Sequence, residues 1–74
     1  MDEVRDDFCI AEDNWQSIQE VRGIKAQLTR TQLWYAADSE PDKAVLVWVE
    51  HAIESIELLQ QRLIELQLTI ISRL

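Results

Sequence analysis

Residues 45–70 read VLVWVEHAIESIELLQQRLIELQLTI. Their apolar residues recur at alternating steps of four and three: Val45, Val49, Ala52, Ile56, Leu59, Leu63, Leu66 and Ile70. This is the heptad seam of a coiled-coil helix, with Val49, Ile56, Leu63 and Ile70 at one core position and Val45, Ala52, Leu59 and Leu66 at the other. A seam of this kind demands a second helix laid along it, so the stretch fixes the fold class as all-α.

The punctuation just upstream supplies the geometry. Ala37-Asp38-Ser39-Glu40-Pro41-Asp42 is the strongest turn signal in the chain, which has one Gly and one Pro in 74 residues. The pattern predicts Ser39 as the helix cap, with Asp42 three residues on in a variant of the capping box and Pro41 in the first turn. Helix 2 is then expected over about 41–74, after a turn at 37–40. Upstream, Trp15, Ile18, Val21, Ile24, Leu28 and Tyr35 follow a helical period, with Leu33 and Trp34 flanking. Val4, Phe8, Ala11, Trp15 and Ile18 also step by four and three. Helix 1 is expected over about 4–36, frayed before Asp7; the alternative start is an N-cap at Asp13.

A short turn makes the helices antiparallel neighbours. With the turn centred on Ser39 and equal rise in both helices, facing residues have numbers summing to about 79. Trp15 then lies opposite Ile64 and Phe8 opposite Ile71. Gly23, in the middle of helix 1, reads either as a close helix–helix approach or bend, or as a tolerated substitution for Ala.

Helix 2 carries more apolar surface than one seam uses. Ile64, Leu68 and Ile71 lie off the seam, and Leu46, Trp48 and Ile53 broaden the first half. One hairpin partner covers one face, so the surplus points to an interface. Length argues the same way: below roughly 70–80 residues a single core rarely supplies more than about 3–5 kcal/mol unaided. The single Cys9 has no disulfide partner, and one Cys with one His cannot complete a structural zinc site. What remains is self-association or a partner, the latter as one hairpin clamping a helix of another protein. The expected assembly is a homodimer of antiparallel two-helix hairpins forming a four-helix bundle.

Composition excludes several functions. The formal net charge is -7, which repels phosphate, so neither direct nucleic-acid binding nor an anionic membrane surface is expected. Asp2, Glu3, Asp6 and Asp7 form an acidic patch near the start, followed by Glu12 and Asp13. The first residues lack the basic and apolar regions of a secretory signal, and no apolar stretch is long enough to span a bilayer. With a lone thiol, this suggests a reducing cytoplasm. Cys9 reads as a small apolar residue near the packed face.

No catalytic constellation is visible. His51 has Glu50 and Glu54 near it on the helix but no nucleophile beside it. Glu50, Glu54, Glu57 and Glu65 read as outer-face charge. No phosphate loop, zinc spacing or calcium loop occurs, so no cofactor or metal is expected. The function this supports is a non-catalytic, cytoplasmic protein-binding regulator (an adaptor, chaperone or inhibitor) that pairs with itself and with another protein. Its candidate contacts are Trp34, Tyr35 and Trp48 at the hairpin tip and Ile64, Leu68 and Ile71 on the outer stripe, because exposed aromatic and aliphatic anchors dominate interfaces. Two other readings are an acidic inhibitor, encoded by a phage or mobile element, that mimics nucleic acid and blocks a host nucleic-acid-binding protein, and a purely structural oligomerisation module.

Overall fold

The computed structural model describes residues 6–74. Two thirty-residue helices, α1 (Asp7–Ala36) and α2 (Lys43–Ser72), pack against each other as an antiparallel hairpin. Its extents are 59 × 20 × 17 Å. The radius of gyration is 17.1 Å, against roughly 11 Å for a compact domain of this length. So elongated a form encloses only a narrow core, and among the described residues its buried apolar members are Ala11, Ile18, Val21 and Ile70.

Helix α1 starts where a carboxylate is placed to start it. Asp6 has extended backbone and its Oδ1 accepts the Cys9 N–H at 2.8 Å, satisfying one of the donors left over at a helix N-terminus. Asp13, the alternative cap, lies inside the helix. Asp2, Glu3 and Val4 lie outside the described residues.

Helix α2 begins later than the turn signal suggested. Its cap is Asp42, whose Oδ1 accepts the N–H groups of Ala44 (3.0 Å) and Val45 (3.3 Å). Pro41 therefore precedes the cap instead of sitting in the first turn, and Ser39 does not cap. The reason is steric. A cap at Ser39 would require helical backbone at Glu40, and the ring of a following proline disfavours that conformation. Ser39 instead donates its hydroxyl to Asp38 Oδ1 (3.5 Å), which also accepts the Glu40 N–H (3.3 Å). The turn thus occupies 37–42 and uses no positive-φ residue.

The register follows from the contacts between the helices. Asn14 reaches both Leu63 and Gln67, Lys25 lies 3.6 Å from Glu57, and Arg73 lies 3.9 Å from Asp7. These pairs bracket the expected sum of about 79, which derives from equal helical rise on both sides of the turn.

The seam itself differs from the apolar pattern in both helices. In α1 the residues turned inward step by four and three through Ala11, Asn14, Ile18, Val21, Lys25, Leu28, Gln32 and Tyr35. Ile18 is buried to 1% exposure, while Trp15 and Ile24 stay outside. In α2 the seam runs Val45, Val49, Ala52, Ile56 as expected, then steps four to Gln60 and on to Leu63, Gln67 and Ile70. Leu59 and Leu66, assigned to the seam by their apolarity, remain 45% and 48% exposed. Seven residues of a straight α-helix fall about 20° short of two full turns, and an extra step of four makes up that drift. The Asn14–Gln67 bond then holds the shifted register.

One expectation is corrected at Cys9, and of the two readings of Gly23 the close approach is set aside. Cys9 is exposed and does not lie near the packed face. Gly23 has nothing within 4 Å of the position a Cβ would take, so no close helix approach depends on it.

Candidate functional site: two apolar faces and an aromatic tip

Each seam residue has a neighbour on either side in sequence, and at about 100° per residue those neighbours fall on opposite flanks of the helix. Phe8 follows half-buried Asp7, one step of four before Ala11, and Trp15 and Arg22 each follow a seam position by one, as do Ile53, Glu57, Ile64, Leu68 and Ile71 on α2. These residues form the first face. The two helices contribute to it jointly: Phe8, Trp15, Gln67, Ile71 and Leu74 line one groove, and Lys25, Glu57, Gln60 and Ile64 line another further along. Ile10, Ile24 and Trp34 each precede a seam position by one, as do Trp48, Leu59 and Leu66 on α2. They form the second face.

The six candidate contact residues are thus divided. Ile64, Leu68 and Ile71 share the first face and are 39%, 63% and 49% exposed. Trp34 and Trp48 lie on the second face close to the turn and are 72% and 74% exposed. Tyr35 is a half-buried seam residue whose ring meets Trp34 edge-on, with centroids 4.9 Å apart. Arg30 and Thr31 complete a shallow depression around that aromatic pair. Trp48 makes its ring contact with His51 at 6.4 Å. The aromatic contacts of the tip are therefore made within each helix.

Of the acidic patch, only Asp6 and Asp7 are described. Asp6 caps α1 and Asp7 faces Arg73 from the C-terminal end of α2. Both carboxylates thus have structural work at the open end of the hairpin. His51, Glu50, Glu54, Glu57 and Glu65 are all exposed. Among the described residues no three His, Cys, Asp or Glu side chains gather as a metal site requires, and no helix is long and apolar enough to cross a membrane.

The residue missed by the sequence reading is Asn14. It is 8% exposed, and its Nδ2 donates to the Leu63 carbonyl at 3.0 Å and to Gln67 Oε1 at 2.8 Å. A buried amide needs such partners, and one polar layer of this kind fixes the register of a helix pair at some cost in stability. The signal is present in the sequence: 14 and 67 nearly satisfy the pairing sum, and both are amides.

Chemically, the arrangement offers two stripes of apolar surface separated by a partly polar seam. Among the described residues, fifteen large apolar side chains are exposed and four apolar residues are buried, an imbalance that a solitary soluble hairpin does not normally carry. Comparison with known proteins finds no family model, no curated protein and no solved structure that matches the chain.

Proposed function

We propose that the chain is a non-catalytic protein-binding regulator (an adaptor, chaperone or inhibitor) that works in the cytoplasm as a homodimer of helical hairpins, paired into a four-helix bundle. The observation that carries this reading is the excess of exposed over buried apolar side chains, set on two separate faces. One face supplies self-association, which enlarges the core of a chain too small to be stable alone. The other supplies a target site anchored by Trp34 and Trp48, since large, rigid aromatic groups give binding energy at low conformational cost.

The reading is tested by immobilising the chain and a Trp34→Ala/Trp48→Ala variant and passing host extract over both. A host protein retained by the first and lost from the second, with equal helix content by circular dichroism, is the expected result. Recovery of nothing but the chain's own copies on both would leave structural oligomerisation in its place.

A further inference from the structure

On the homodimer reading, either apolar face could meet a second copy, with the turns at the same end or at opposite ends. On the first face the heptad stripe of α1 is Phe8, Trp15, Arg22 and that of α2 is Glu57, Ile64, Ile71. Taken from opposite ends, these stripes lie at matching heights: Phe8 with Ile71, Trp15 with Ile64, and Arg22 with Glu57. Phe8, Trp15 and Ile71 already share one groove within a single hairpin.

A two-fold axis parallel to the helices leaves every residue at its own height and places α1 over α2 of the second copy. The same rungs then recur between chains. The geometry points to a dimer formed by this operation on the first face: Phe8 meets Ile71 of the second copy, Trp15 meets its Ile64, and Arg22 meets its Glu57. Each rung occurs twice by symmetry, aromatic on aliphatic at two levels and opposite charge at the third. Glu57 then lies between Lys25 of its own hairpin and Arg22 of the second copy, while Glu12, the acid on the α1 flank, comes level with Gln67 of the second copy.

Area is sufficient. The broad side of the hairpin measures 59 × 20 Å, an area larger than the roughly 800 Å² per partner that a stable interface buries. The arrangement sets both turns at the same end. Trp34 and Trp48 of each copy stay on the faces turned away from the dimer, where a target can reach them.

Two experiments test this. In a Lys25→Gln parent, which removes the Lys25–Glu57 ion pair within each hairpin, Arg22→Glu and Glu57→Arg each set like charges at two symmetry-related rungs, and each is expected to weaken dimerisation by roughly tenfold or more. Combining them in one chain restores the rungs with signs reversed, so the double variant is expected to return to within about threefold of the parent, sedimentation being read at several concentrations. In a second experiment, a single spin label on Ser39→Cys, in a Cys9→Ser background, reports turn-to-turn distance without touching the interface. Both labels at one end of the bundle give a separation near its width; a dimer paired head to tail gives one approaching the 59 Å length. A long separation, or a double variant as weak as the singles, overturns this orientation while leaving the homodimer standing. A chain that sediments as a monomer overturns both.

Discussion

Removing the Asn14–Gln67 bond is the perturbation whose size follows most directly from the geometry. Asn14→Ala deletes two hydrogen bonds, at 3.0 Å and 2.8 Å, each worth a net ~0.5–1.5 kcal/mol. Alanine returns about 0.6 kcal/mol through better helix propensity. The expected loss is about 1–2 kcal/mol. Gln67→Ala deletes only the 2.8 Å bond and leaves Asn14 donating to the Leu63 carbonyl, so it is expected to cost about 1 kcal/mol or less. Because the two side chains share one bond, their effects are not additive: the double variant should lose less than the sum of the singles, by about 0.5–1.5 kcal/mol. Urea denaturation at one fixed protein concentration measures all four corners of the cycle, the fixed concentration being needed because association contributes to apparent stability. Strict additivity would refute the bond as a determinant of register.

Three further outcomes follow from the same geometry. Gly23→Ala fills open space on a helix interior and is expected to raise stability by roughly 0.5–1 kcal/mol in thermal or urea unfolding; a loss would place another chain against that position. Asp42→Ala should lower stability by ~0.5–2 kcal/mol through loss of the cap, whereas Ser39→Ala should fall within about 0.5 kcal/mol of the parent; denaturation of the pair separates the two capping schemes. Ile71→Lys buries a charge in the proposed self-interface, so size-exclusion chromatography with light scattering should show dissociation at concentrations where the parent remains paired.

The parts of the fold legible in the sequence are those governed by period and rise. Val45 to Ile56 obey the heptad, and the pairing sum of about 79 follows from a short turn and equal rise, so hairpin and register are both recoverable. Leu59 and Leu66 were misplaced because apolarity alone cannot distinguish a seam residue from its flanking neighbour when the flank is apolar too. The deciding information was polar: Asn14 on α1 needed an amide opposite it, and Gln67 rather than Leu66 supplied it. The cap of α2 was misread because the short range of Ser39 competed with the constraint that Pro41 puts on Glu40. For the candidate site, the surplus of apolar residues was evident. Its division into two faces depends on knowing which residues hold the seam.

The central claim is that one hairpin cannot cover its own apolar surface. Sedimentation equilibrium on the unmodified chain, run from the low micromolar range upward, addresses it most directly. The account predicts a species of twice the 8.7 kDa chain mass, with a thermal midpoint that rises with concentration. A particle of 8.7 kDa that unfolds cooperatively at the same temperature across the whole range would contradict it.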